Sequence, residues 1–230
     1  MKKITVISLF PNLFESFLNT SILDRAREKK LIEYNLVDIR KFGEGTHQSV
    51  DDRPYGGGAG MILRADVLTK ALKSVKQKAK SKKQKAILMS ASGKILKQKM
   101  VQEFSELDHL IIICGKYEGV DQRFIDKYVD EEISIGDYVL TGGEIPALTI
   151  IEATVRLIPG VLKKDEASQN ESFSEKLEGM LEYPQYTRPE TFEGEKVPSI
   201  LLSGNHQEIA KWQKEQTLNK TKTQRPDLIK

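Results

Sequence analysis

Residues 110–124 read LIIICGKYEGVDQRF, and residues 134–144 read SIGDYVLTGGE. The first stretch is a short apolar run, typical of a buried strand, that ends at Cys114 in a glycine-containing loop. The second stretch repeats this arrangement. Ligands of open α/β sheets bind outside the carboxyl ends of the strands, so two glycine loops at one sheet edge indicate a ligand site. From spacing alone, two ordinary strand-to-helix turns remain the alternative.

Strands and helices alternate on both sides of these loops. The apolar patterns predict strands at 4–10, 31–39, 86–89, 110–114 and within 133–140, and helices at 14–29, 95–104 and 145–158. Alternation of this kind is expected of a parallel sheet with crossover helices, so the fold class is α/β. Pro146 suits a first helical turn, and the apolar residues of that last helix cover most of its surface, so it is expected to be buried.

The sequence changes character after Pro159 and Gly160. Residues 161–173 are polar and lack sustained periodicity, which predicts a linker between a domain at 1–160 and a second domain at 174–230. The second domain opens with a loop-rich stretch and has a helix candidate near 206–218. Basic residues outnumber acidic ones in its tail, 217–230. We therefore expect a small, mostly helical C-terminal domain.

Bulk composition excludes several classes of protein. The 36 basic and 33 acidic side chains nearly cancel, so net charge alone does not indicate a nucleic-acid partner. A single cysteine, Cys114, excludes an internal disulfide, and the three histidines are not spaced as metal ligands, so we expect no metal site. No apolar run is long enough to cross a membrane, and the N-terminus turns polar too soon for a signal peptide. These features predict a cytoplasmic protein without a membrane partner.

Two further stretches are less specific. DDRPYGGGAGM, at 51–61, allows close backbone approach to a ligand, but it lacks the lysine and hydroxyl residue of a phosphate-binding P-loop. A flexible surface loop is the alternative. The lysine-rich run at 70–85 is typical of a solvated helix face or loop, and contact with RNA phosphates is the other interpretation.

Seven motifs occur together in one order. They are LFPNLFESF, DDRPYGGGAGM, CGKYEGVDQR, SIGDYVLTGGE, RLIPGVL, YPQYTRP and LLSGNH, and they span nearly the whole chain. In this combination the chain resembles the bacterial tRNA guanine-N1 methyltransferases. The resemblance implies an N-terminal domain of the SPOUT type, in which a parallel sheet carries a deep trefoil knot, and it implies a homodimer.

The resemblance also implies S-adenosylmethionine as methyl donor, held in the knot. The expected cofactor-binding residues are Gly115, Tyr117, Glu118, Gly119, Ile135, Gly136, Asp137, Tyr138, Val139, Leu140, Gly142, Gly143 and Pro146. One position departs from the pattern. Family members commonly have Ser-Pro-x-Gly after the third strand, whereas this chain has Ser90, Ala91, Ser92 and Gly93.

The implied reaction is methyl transfer to N1 of guanosine 37 in tRNA, with the C-terminal domain gripping the anticodon arm. N1 carries a proton, so a general base is needed. The resemblance assigns that role to Glu171, where the family usually has aspartate, with Asp165 and Glu182 as weaker candidates. It assigns Arg156 to the charge that develops on guanine O6. Without the resemblance, Glu171 is an ordinary linker residue and Arg156 a surface charge.

Some alternatives stay open at this stage. Another SPOUT methyltransferase, acting on rRNA or on a ribose hydroxyl, would share the knot but would not need the linker acid. A non-catalytic RNA-binding module is a third hypothesis, suggested by Ala91 and Glu171. Magnesium has been linked to the family, but no residue in the sequence marks a site for it.

Overall fold

The computed structural model describes residues 1–76, 83–163 and 170–229. The chain divides into two compact units, Met1–Lys163 and Lys164–Lys230. This division falls within the stretch 161–173 that the sequence predicts to be a linker. The first unit contains, in chain order, β1 (Lys2–Ser8), α1 (Asn12–Leu18), α2 (Ser21–Glu28), β2 (Ile32–Asp38), β3 (Asp51–Asp52), β4 (Ile62–Leu63), α3 (Ala65–Val75), β5 (Gln84–Ile95), α4 (Gln98–Glu106), β6 (His109–Cys114), α5 (Gln122–Tyr128), β7 (Glu131–Ser134) and α6 (Glu144–Val155).

Five strands form the central sheet of this unit in the order β2-β1-β6-β5-β7. All of their pairings are parallel. The predicted α/β class and parallel sheet are therefore confirmed. β5 runs past its partner with an irregularity, because both Met89 and Lys94 pair with Ile133 and the residues between them bulge out. The bulge lies at the edge of the sheet from which the loops after β6 and β7 extend.

Alternate residues of the strands supply two apolar clusters, one on each face of the sheet. In β6, Leu110 and Ile112 belong to one cluster, whereas Ile111 and Ile113 belong to the other. Helices α1, α2, α4 and α6 contribute to the first cluster, and α3 and α5 to the second. Burial on both faces explains why β6 reads as an unbroken apolar run.

Most of helix α6 is buried, as its composition predicts, whereas Ile145, Thr149 and Glu152 are exposed. Seven of its residues are buried, at 144, 146, 147, 150, 151, 154 and 155. Pro146 lies in the first turn, where a missing amide hydrogen costs nothing. The segment leading into this helix is therefore held by a firmly packed element.

Several of the predicted boundaries are wrong. The strand predicted at 86–89 extends over Gln84–Ile95, so the helix predicted at 95–104 begins only at Gln98. Two further differences have a local cause. The predicted helix at 14–29 is two helices, α1 and α2, because Thr20 is extended and Ser21 has a positive φ of 53°. The Thr20 hydroxyl donates to the Phe17 carbonyl over 2.7 Å, a local bond that competes with the helical pattern. The predicted strand within 133–140 ends at Ser134, and the residues that follow form a loop.

The second unit contains a short hairpin, β8 (Thr191–Phe192) and β9 (Glu195–Lys196), followed by α7 (Ser199–Leu202) and α8 (His206–Gln224). The predicted helix near 206–218 is confirmed and continues to Gln224. Asn205 caps α8 by accepting the Glu208 amide over 3.3 Å. The Leu181 amide donates to the Thr221 hydroxyl over 3.0 Å, which ties the loop-rich stretch of this unit to α8.

Candidate active site

A pocket of about 500 Å³ lies at the carboxyl ends of β5, β6 and β7. Three segments line it: Leu88–Ser92, Gly115–Val120 and Glu132–Gly143 without Asp137, together with Gln122, Ile125 and Pro146. All of these residues belong to the first unit. The volume lies in the range of small-molecule sites, and the position is the one expected for ligands of an open α/β sheet.

Two of the lining loops clasp each other through their backbones. The Gly143 amide donates to the Gly115 carbonyl over 2.8 Å, and Lys116 and Gly142 form an antiparallel bridge. A Cβ atom at Gly143 would lie 2.8 Å from Cys114 Cα and 2.9 Å from Gly115 N. Real Cβ atoms almost never come so close to backbone atoms. Gly143 therefore has to be glycine because the two loops touch there.

The loop after β7 is shaped by its own hydrogen bonds. The Ser134 hydroxyl donates to the Gly136 carbonyl over 2.9 Å and accepts the Gly136 amide over 3.2 Å. Gly136 has a φ of 154° and sits under the Tyr138 ring, so a side chain there would collide with the ring. Tyr138 and Val139 then turn outward, and Val139 is 84% exposed.

The third lining segment contains the departure Ser90-Ala91-Ser92-Gly93. Ala91 lines the pocket, as do the two serines, whose hydroxyls are 2.8 Å apart. Gly93 packs against the β7 backbone, because an added Cβ would lie 2.5 Å from Glu132 C and Ile133 N. The segment thus keeps its place on the pocket wall without a proline.

The glycine-rich stretch 51–61 runs beside the loop after β6. The Glu118 amide donates to the Met61 carbonyl over 3.0 Å, and the Leu63 amide donates to the Gly119 carbonyl over 3.0 Å. Four of its glycines have positive φ, at 56, 57, 58 and 60. Gly60 faces the Glu118 side chain closely enough that a Cβ would collide with it. This stretch therefore buttresses one wall of the pocket.

The structure brings together nearly all of the cofactor-binding residues expected from the sequence. Twelve of the thirteen line this one pocket: Gly115, Tyr117, Glu118, Gly119, Ile135, Gly136, Tyr138, Val139, Leu140, Gly142, Gly143 and Pro146. Asp137 lies in the same loop but is exposed and is not part of the wall.

Sequence reasoning missed several lining residues, among them Met89, Lys116, Ile133, Ser134 and Thr141. Lys116, Ser134 and Thr141 lie within quoted motifs. Ile133 precedes one of them, and Met89 ends the predicted strand at 86–89, so closeness to the expected loops was the available signal. Lys116 additionally lies over the Phe10 ring, with its Nζ 5.3 Å from the ring centroid, and Arg40 lies 5.3 Å from the same centroid. The LFPNLFESF motif thus supports the loop after β6.

The residues expected to act on guanine are placed in different units. Arg156 is half-buried at the C-terminal end of α6 in the first unit. Glu171 is half-buried in the second unit, where its carbonyl accepts the Ser174 amide over 3.1 Å. Glu182 is half-buried in the same unit, and its amide donates to the Ser172 hydroxyl over 2.9 Å. Asp165 lies outside the described residues.

The lysine-rich run at 70–85 is described only at its ends, since 77–82 lie outside the described residues. Lys70 pairs with Glu44 over 3.2 Å on the surface of α3, and Lys85 pairs with Glu131 over 2.6 Å. Within 1–76, 83–163 and 170–229, no group of three or more metal-ligating side chains is found. Among the described helices, none combines the length and the apolar character that a membrane crossing requires.

Comparison with known proteins shows the family to which the chain belongs. The family model described as tRNA (Guanine-1)-methyltransferase TrmD matches residues 1–230. The chain belongs to this family. It is 48% identical over 227 residues to the tRNA (guanine-N(1)-)-methyltransferase of Ruminiclostridium cellulolyticum, covering 99% of this chain and 96% of that protein. The enzymes of the same name from Moorella thermoacetica and Dictyoglomus turgidum are also 48% identical, covering 99% and 100% of this chain and 90% of each relative.

Proposed function

We propose that the protein transfers a methyl group from S-adenosylmethionine to N1 of guanosine 37 in tRNA. Family membership over the whole chain supports the reaction class. The single observation that carries the proposal is the pocket whose two glycine loops clasp each other at the ends of β6 and β7. Two of its three lining segments lie largely in CGKYEGVDQR and SIGDYVLTGGE, two of the seven motifs through which the chain resembles these enzymes.

The pocket fits the methyl donor. Apolar side chains such as Ile133, Ile135, Leu140 and Pro146 suit the faces of an adenine ring, while the glycine backbones offer amides and carbonyls to its polar edges. Gly142 and Gly143 have no side chains, so the two loops come together at backbone distance and form a continuous wall for the cofactor. When bound, the sulfonium supplies an activated methyl group.

The protein's own residues then prepare the acceptor. We assign Glu171 as the general base that takes the proton from guanine N1, because N1 is a poor nucleophile until that proton leaves. Loss of the proton places negative charge on O6, and we assign Arg156 to stabilise that charge through its guanidinium group. Glutamate is one methylene longer than the family's usual aspartate, so its reach differs.

The trefoil knot and the homodimer are part of the same proposal. The chain leaves β7 on one side of β5 and arrives at Gly143 beside the end of β6, on the other side of β5. A crossing of this kind is what a knotted topology requires. Large apolar side chains are exposed near the pocket at Val139 (84%) and Ile145 (59%), which suits coverage by a partner subunit.

The C-terminal domain, 174–230, is proposed to grip the anticodon arm of the tRNA. Its helix α8 carries lysines at 211, 214, 220 and 222, and phosphate contacts of this type supply much of the affinity for nucleic acid. A looped strand lets a base turn out and be read along its hydrogen-bonding edge. Magnesium remains unassigned to any residue.

The proposed function is tested by transfer of labelled methyl from S-adenosylmethionine to a tRNA transcript carrying guanosine at position 37. The matched control is the same transcript with adenosine at that position. Label in the first and none in the second is the expected result, with 1-methylguanosine recovered after nuclease digestion. Equal labelling of both transcripts would contradict the position, and label recovered as a ribose methyl would point to a different RNA methyltransferase.

A further inference from the structure

A buried carboxylate stands directly behind the pocket wall. Glu144 is the first residue of α6, follows Gly142 and Gly143, and is only 6% exposed. Its Oε1 atom accepts a hydrogen bond from the Ser8 hydroxyl over 2.9 Å. Ser8 is the last residue of β1 and is completely buried, and its hydroxyl oxygen also accepts the Phe10 amide over 2.9 Å. Neither Glu144 nor Ser8 lines the pocket.

The second oxygen of this carboxylate lies against the wall itself. A Cβ atom at Gly142 would collide with Glu144 Oε2 and would lie 3.1 Å from Lys116 Cδ. Because Gly142 has no side chain, the Glu144 carboxylate can occupy the space behind the point where the two loops touch. The Cys114 thiol lies in the same interior, where burial raises its pKa and the charge of Glu144 raises it further.

The buried position of the Glu144 carboxylate requires compensating interactions. Burial of a carboxylate is costly unless hydrogen bonds and favourable dipoles compensate for lost water. Ser8 supplies one bond, and the amino-terminal end of α6 supplies a favourable dipole. An apolar residue would fill this position at less cost, but it would not bond β1 to the start of α6.

We infer that Glu144 and Ser8 are positioning residues that fix the Gly142–Gly143 wall of the donor pocket relative to the central sheet. The hydrogen bond joins the end of β1 to the residue that follows the wall, and the carboxylate supports Gly142 from behind. Gly142 and Gly143 then already occupy their binding position before the donor enters the pocket. This inference rests on the proposed function, because it assumes that the pocket takes S-adenosylmethionine.

Three variants of the full-length protein test the inference. Ser8→Ala removes the hydroxyl, and Glu144→Leu removes the carboxylate that accepts its hydrogen bond. Thr5→Val is the matched control, since Thr5 lies in the same strand, is completely buried, and bonds to His109 over 2.8 Å instead. The dissociation constant for S-adenosylmethionine is measured by titration calorimetry, and kcat is measured at saturating donor and tRNA.

We expect Ser8→Ala and Glu144→Leu each to weaken donor binding by about tenfold, which is ~1.4 kcal/mol. The value of kcat at saturation should stay within about twofold, because the reacting groups are untouched. Thr5→Val should lower the melting temperature without changing the dissociation constant. The double variant should bind no more weakly than Glu144→Leu alone, since both changes remove the same Ser8–Glu144 hydrogen bond.

Unchanged donor binding in Ser8→Ala would overturn the inference, and so would a loss confined to kcat. A similar weakening in Thr5→Val would overturn it too, since the effect would then reflect general stability. If Glu144→Leu does not fold, Ser8→Ala still decides the matter, because it removes one hydroxyl only. Failure of the wild-type protein to bind the donor would instead contradict the proposed function.

Discussion

Gly143→Ala is the change whose effect the structure defines most sharply. The new methyl group would meet Cys114 Cα at 2.8 Å and Gly115 N at 2.9 Å, whereas ordinary contacts begin at 3.4 Å. The backbones of the two loops must therefore move apart by about 0.6 Å, the difference between 3.4 and 2.8 Å. Both collision partners are backbone atoms, so no side chain can rotate away. The 2.8 Å bond from the Gly143 amide to the Gly115 carbonyl is stretched as well.

A displacement of this size forfeits roughly a quarter to a half of each van der Waals contact along the wall. Overpacking of this kind costs about 1–3 kcal/mol, which corresponds to a rise of roughly 5- to 150-fold in the dissociation constant for S-adenosylmethionine. This dissociation constant is measured by titration calorimetry of the purified variant. We expect a loss near the middle of that range, because the clasp is part of the pocket.

Gly43→Ala provides the matched control. An added Cβ at Gly43 would collide with the Gln48 backbone, which is not part of the pocket. This variant should lose stability while binding the donor as the wild type does. Donor binding in Gly143→Ala within about threefold of the wild type would refute the reasoning that the two loops form the site.

Four further predictions concern catalysis and stability. Glu171→Gln should lower the rate of methyl transfer in a single-turnover assay by about 100-fold while sparing donor affinity. A normal rate would show that Glu171 is not the base. Arg156→Ala should lower kcat by a similar factor with unchanged donor affinity, and a loss in affinity alone would refute its role at O6. Burial lowers the pKa of His109 to about 4 from 6.5, so the unfolded chain takes up a proton at a higher pH than the folded chain. The free energy of unfolding should therefore fall by roughly 2 kcal/mol between about pH 7 and pH 5. Urea titrations in which His109→Gln shows the same pH dependence would contradict this. Thr154→Val should raise the unfolding free energy by about 1 kcal/mol, because the buried Thr154 hydroxyl has no hydrogen-bond partner among the residues that the structure describes, and a lower melting temperature would count against it.

The sequence predicted the sheet well because both of its faces are buried. A strand such as β6 is then apolar at most positions, and its run at 110–114 is visible without knowledge of the fold. Where local chemistry overrides the pattern, prediction failed. The side-chain bond of Thr20 divides one periodic stretch into two helices, and the bonds of Ser134 end a strand whose hydrophobic pattern continues.

The pocket was predicted from motifs, but its construction was not. Gly143 could be expected near the ligand, whereas its contact with Cys114 and Gly115 depends on the meeting of loops that are far apart in sequence. Glu144 and Ser8 are separated by 136 positions, and nothing in either local pattern indicates that they bond. Contacts of this kind follow only from the topology of the sheet.

The most direct test of the account is a crystal structure of the protein soaked with S-adenosylmethionine. We predict density for the donor in the pocket between the loop at Gly115–Gly119 and the loop at Ile135–Gly143, in contact with backbone atoms of both. A donor bound elsewhere, or a pocket that stays closed to it at saturating concentration, would contradict the account.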